Sequence, residues 1–148
     1  MTLLEQLDAD IKAALKGGEA AKRQTLSMVK SALGNYRIAQ RKKELTDADV
    51  ITVLSKEVKS RKDAAAEFRK GGAEDRAKQE EAEAAMLQKY LPAQMSEADV
   101  EAAVKAAIKK TGATSVKEMG KVMGIVSKEL KGRADLKAVN QLVKKLLG

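Results

Sequence analysis

This 148-residue chain contains neither Cys nor His, so its chemistry falls to basic, carboxylate and hydroxyl side chains. Disulfides, a thiolate nucleophile, a Ser-His-Asp triad and histidine-ligated metals are excluded by that absence. No cofactor or metal is therefore expected. Of the side chains that can act, cations are the most numerous. Lys117, Lys121 and Lys128 share one line of a helical segment, opposite Met119, Val122 and Val126. Gly120 and Gly124 lie toward the lysine side. Two readings of that glycine pair stand together: a neighbouring helix packs on it, or a phosphate or RNA backbone approaches it beside Lys121. Just beyond, Lys131-Gly-Arg133-Ala-Asp135 precedes a helix start whose backbone N–H groups can receive an anion.

Two further constellations lie nearer the N-terminus. Between Ala20 and Lys43 there is no acid, and Arg23, Lys30, Arg37 and Arg41 fall within about 40° of one another at helical spacing. Such a stripe either follows a phosphate backbone or forms a solvated face. Tyr36 points to the apolar side, so the aromatic interleaving of single-strand stacking is missing. Glu57 and Arg61 stand four apart on the Val50, Leu54 and Val58 face, and Glu80 falls on the weak apolar face of the next segment. If those faces meet, Glu57, Arg61 and Glu80 form a semi-buried ion network, whose ordinary role is to pair two helices in register. A catalytic carboxylate pair is the sharper alternative, but no metal-ligand set accompanies it.

The elements that must hold these residues are helical. Aromatics are 2% of the chain, so the core must be aliphatic, and one proline in a mixture rich in helix formers makes strands unlikely company. Four hydroxyls are followed three residues on by an acid: Thr2 and Glu5, Thr46 and Asp49, Ser96 and Asp99, Ser115 and Glu118. Each pair is a capping signal at the head of a periodic apolar run. The spacing predicts helices over 3–16, 19–42, 47–70, 73–90, 97–111, 116–130 and 135–147, with glycines at 17–18, 71–72, 112 and 132 as stops. Met86, Met95, Met119 and Met123 read as core fillers.

Pro92 breaks helix at the residue before it and stands ahead of the Ser96 start signal. The chain is thus expected to divide into a long-helix N-terminal domain, 1–92, and a small three-helix domain, 93–148. The formal charge of +8 is uneven, because eleven basic and six acidic residues leave a surplus of five in residues 93–148. A polyanionic partner fits that surplus. The first ten residues lack the pattern of a secretory signal, and no apolar run reaches the ~18–20 residues of a bilayer span, so the expected location is cytoplasmic with no membrane partner.

Lys56-Glu-Val-Lys-Ser-Arg61, Tyr90-Leu-Pro92, Glu118-Met-Gly-Lys-Val-Met-Gly124 and Gly132-Arg-Ala-Asp135 occur in this order. Together they resemble the GatB/YqeY family in its stand-alone YqeY-like form, along essentially the whole chain. The resemblance implies an all-α fold and kinship with the tail of the B subunit of the tRNA-dependent amidotransferase, the segment that touches tRNA. Amidotransfer in that enzyme belongs to a kinase-like domain and an amidase subunit, for which this chain has no room. The expected function is a non-catalytic accessory module that binds tRNA or another structured RNA through its basic helical faces. A module docking on an acidic translation-related protein is the first alternative. A component of a glutamine-dependent carbon–nitrogen ligase, the activity that the family label names, is the second.

Overall fold

Hydroxyl caps, aliphatic periodicity and glycine stops produce an all-α chain. The computed structural model describes residues 1–148, with no strand. Its helices are α1 (Leu3–Lys16), α2 (Ala20–Ala39), α3 (Asp47–Lys70), α4 (Glu74–Gln88), α5 (Glu97–Thr111), α6 (Met119–Leu130) and α7 (Leu136–Leu147). A single 3-10 turn, Val116–Glu118, precedes α6.

Capping explains which boundaries were legible. Thr2 and Thr46 complete reciprocal capping boxes with Glu5 and Asp49, and α1 and α3 begin where the signal places them. Ser96 accepts the Asp99 N–H, and α5 starts there as well. The fourth signal operates only in part. Ser115 makes no side-chain cap; the Glu118 carboxylate accepts the Thr114 N–H at 2.7 Å and interacts more weakly with the Ser115 backbone, and the chain enters α6 through the 3-10 turn. The second helix is also shorter than its periodicity suggests. It closes at Ala39, and Arg41 adopts a left-handed φ of 53°. That turn lets Lys42 reach Asp49 at 2.6 Å, a pull no helical pattern records.

The chain divides into two compact units, Met1–Leu91 and Pro92–Gly148. In the first, α3 and α4 form an antiparallel hairpin across Gly71 and Gly72, and α1 and α2 pack together and against it. Gly72 takes the positive φ of 78° that closes the hairpin turn. The core is aliphatic, led by Leu7, Leu26, Leu33, Val50, Leu54 and Leu87, all essentially buried. Polar ties close its edges. The Leu3 N–H donates to Asp47 Oδ1 at 3.0 Å, and the Tyr90 hydroxyl donates to the Asp10 carboxylate. Burial, then that hydrogen bond, raises the Tyr90 pKa above the ordinary phenol range. Asp49, 5% exposed, accepts from Lys42 and from the Thr46 N–H and hydroxyl, and its pKa falls to about 2.

In the second unit α5, α6 and α7 each pack against the other two, around Val104, Val122, Val126, Leu130, Val139 and Val143. Met95, Met119 and Met123 fill in against this core. The segment before α5 hooks onto the α6–α7 turn: the Met95 N–H donates to the Arg133 carbonyl at 2.9 Å, and Gln94 Nε2 to the Gly132 carbonyl at 2.6 Å.

Candidate nucleic-acid interface

The amphipathic pattern of α6 turns Val122, Val126 and Leu130 inward, where α5 and α7 receive them. Its opposite side stays open. Lys121 and Lys128 on α6, Lys117 on the preceding 3-10 turn, and both Gly120 and Gly124 are exposed. A Cβ built at Gly120 or Gly124 meets nothing within 4 Å. Neither α5 nor α7 occupies that space, because the face that attracts them is the valine side. The result is bare helical backbone bordered by cations.

The charge on this surface is only partly offset, by the Glu118 carboxylate near Lys121. None of Lys117, Lys121 and Lys128 forms an ion pair. The neighbouring acid, Glu118, is engaged by the Thr114 N–H and hydroxyl. That backbone hydrogen bond, chiefly, holds its carboxyl below the usual glutamate range, with a smaller contribution from the Lys121 charge. An exposed lysine line beside accessible backbone presents point charges and close approach together, as a phosphate chain requires.

The turn after α6 behaves differently from its sequence reading. Lys131 is half-buried and Arg133 exposed, with the Arg133 Nε–H donating to the Ala93 carbonyl at 3.3 Å. At the start of α7 the Asp135 side chain accepts the Lys137 N–H at 3.0 Å. The carboxylate of the chain itself thus occupies the place proposed for an anion, and the helix start is closed by an ordinary N-cap.

The α2 stripe is interrupted. Arg23 and Arg37 are exposed on the helix, but Lys30 pairs with Asp8 at 2.8 Å and Arg41 lies past the helix end. The continuous four-residue line needed α2 to run beyond Ala39, and the Lys42–Asp49 pairing stops it.

The buried ion network forms with one substitution of partner. Arg61, 6% exposed, donates to Glu57 Oε2 at 2.6 Å and to the Glu57 carbonyl at 3.2 Å. From α4 it meets Glu83, with Nε 3.4 Å from Oε2, and not Glu80. Arg61 and Glu83 stand about equally far in sequence from the Gly71–Gly72 turn, whereas Glu80 is nearer it, so the antiparallel hairpin brings Glu83 to the level of Arg61. Counting outward from the glycines finds this partner; the angular position of Glu80 alone does not. Two carboxylates on one guanidinium make a register clamp. The Arg69 guanidinium repeats the pattern nearer the turn, paired with Glu74 at 2.9 Å and Glu81 at 2.5 Å.

Elsewhere, no group of three or more acidic side chains is placed to hold a metal ion, and no helix is long and apolar enough to cross a membrane. A family model described as Yqey-like protein matches residues 4–147. No curated protein matches the chain.

Proposed function

This chain belongs to the Yqey-like family, and on that premise we propose that it is a non-catalytic accessory module that binds tRNA or another structured RNA through the open face of its second unit. The observation that carries the reading is the exposed Gly120 and Gly124 backbone beside the unpaired Lys117, Lys121 and Lys128. Shape and phosphate charge, without base reading, are what such a face offers. The surplus of five positive charges in residues 93–148 supports it. So does the resemblance to the amidotransferase tail, which touches tRNA. Arg133 and Lys131 extend the basic border, while Arg23 and Arg37 are secondary contributors on the first unit.

Mixing the protein with bulk tRNA across a salt series tests this. Binding is expected to be strongest at low salt, with log affinity falling linearly against log salt. Reversing Lys117, Lys121 and Lys128 to Glu should reduce that slope by about two to three if each lysine neutralises one phosphate. No retention of RNA at low salt sinks the proposal.

A second reading is docking on an acidic translation-related protein. Val116, 43% exposed beside Lys117, favours it, since an apolar residue within a basic surface suits a protein partner. The same charge reversals then remove a co-purifying protein and leave RNA retention unchanged. Participation in glutamine-dependent ligase activity requires partners that supply ATP-binding and amidase sites. Amidation by the lone chain in a reconstituted assay would promote that reading over the other two.

A further inference from the structure

Helix α2 carries two unlike faces. Leu26, Val29 and Leu33 enter the core of the first unit, while the opposite side is bare. Along that bare side Ala21, Gln24, Met28, Ser31, Asn35 and Ile38 recur at alternating spacings of three and four, the pattern of a two-helix seam. They fall within about 100° of one another at helical spacing. All six are exposed, Met28 at 56% and Ile38 at 68%. Charged residues are 34% of the chain, yet none of those on α2 falls in an arc of about 160° around this line. The cations of the helix, Lys22, Arg23, Lys30 and Arg37, all lie outside it.

A charged partner finds nothing to pair with on such a line, whereas a second uncharged line fits it. The line is also its own complement. Set antiparallel to another copy, with Met28 of each level with Ser31 of the other, the same register places Gln24 against Asn35 and Ala21 against Ile38. Large thus meets small at two levels. Amide meets amide at the third, where each side chain offers both donors and an acceptor, and a buried amide pair fixes register. The ends agree. Glu19, which precedes α2, stands level with Gln40 and Arg41 of the other copy. Glu19 and Arg41 are both exposed, and neither forms an ion pair within its own chain. A two-fold axis repeats every one of these contacts, so the interface closes as a dimer.

We propose that α2 pairs antiparallel with α2 of a second copy of this chain, along the line from Ala21 to Ile38. The pairing does not rest on the α6 reading and survives its failure. Arg23, Lys30 and Arg37 stand more than about 100° from the seam centre, on the outer flank of each copy. Salt therefore screens their mutual repulsion and should not weaken the pair, the reverse of the trend expected for RNA.

Sedimentation velocity of the nuclease-treated full chain over a concentration series tests the pairing. One helix pair is a small interface, so dimerisation is expected with a dissociation constant of about 10–100 µM. Met28→Glu with Ile38→Glu should weaken it at least about ten-fold, because burying unpaired charges is costly. The melting temperature at low concentration should not change, since both positions are exposed in the single chain. Charge reversal at Lys117, Lys121 and Lys128 should leave dimerisation unaltered. The register has its own readout, because the chain has no Cys. A Gln24→Cys variant mixed with an Asn35→Cys variant should cross-link under mild oxidation well ahead of either variant alone. Two copies of residue 24 would stand about 16 Å apart along the seam, beyond the ~7 Å Cα separation that a disulfide spans. A chain that stays monomeric up to about 1 mM overturns the proposal. So does a dimer that the Met28/Ile38 double variant retains. Cross-linking of either variant with itself as fast as in the mixture, the mark of a parallel pair, overturns it too.

Discussion

Arg61 shows how a buried charge differs from a catalytic one. Its guanidinium is nearly inaccessible, while Glu57 and Glu83 keep side-chain exposures of 26% and 27%. The two acids can turn toward water if the cation is removed; the cation has no such escape. Arg61→Met, which retains much of the apolar stem, should therefore change stability by less than about 1 kcal/mol. The double variant Glu57→Ala, Glu83→Ala strands the guanidinium and should cost about 3 kcal/mol or more. Urea unfolding of both variants measures the asymmetry, and equal losses would show that the ion network itself supplies the stability. Glu57 and Arg61 were legible together because their pairing is local, at i and i+4. Glu83 was not, because its choice over Glu80 depends on how the hairpin aligns two helices.

At the level of elements, α6 separates stability from recognition. Gly124 sits in the helix interior with nothing near it, so Gly124→Ala should raise stability by roughly 0.5–1 kcal/mol through propensity alone. Under the proposed function, Gly124→Leu should at the same time weaken tRNA retention, because the side chain stands where the phosphate backbone approaches. Thermal unfolding and low-salt tRNA binding of the two variants give the opposed signs; a stability loss for Gly124→Ala would mean that the glycine is structural after all. The helices themselves were largely readable. Thr2, Thr46 and Ser96 announce α1, α3 and α5 through bonds made within four residues. The misread ends have non-local or competing causes. Asp49 draws Lys42 and closes α2 early, and Thr114 takes the larger share of the Glu118 carboxylate while the Ser115 hydroxyl makes no cap. Openness of the glycine face was likewise beyond a one-dimensional pattern, since spacing places Gly120 and Gly124 together but does not say whether another helix covers them.

Across the whole molecule, two aliphatic cores are built from separate stretches of chain, one within Met1–Leu91 and one within Pro92–Gly148. Truncating a buried side chain in either should act mainly on its own unit. Leu54→Ala, at a site with no exposure, is expected to cost about 2–5 kcal/mol and to lower hydrogen-exchange protection in α1–α4 while sparing α5–α7. Val126→Ala should do the reverse, and protection lost evenly along the chain in both variants would instead indicate one cooperative unit. The aromatic residues add an optical counterpart to this division. Tyr36, Phe68 and Tyr90 all belong to the first unit, where the Tyr90 hydroxyl is tied to Asp10, and the chain has no Trp. The second unit is accordingly dark in the near ultraviolet. Tyrosine emission on heating follows the first unit alone, whereas far-ultraviolet dichroism sums the helices of both, and the difference between the two melting curves is the second unit's own signal.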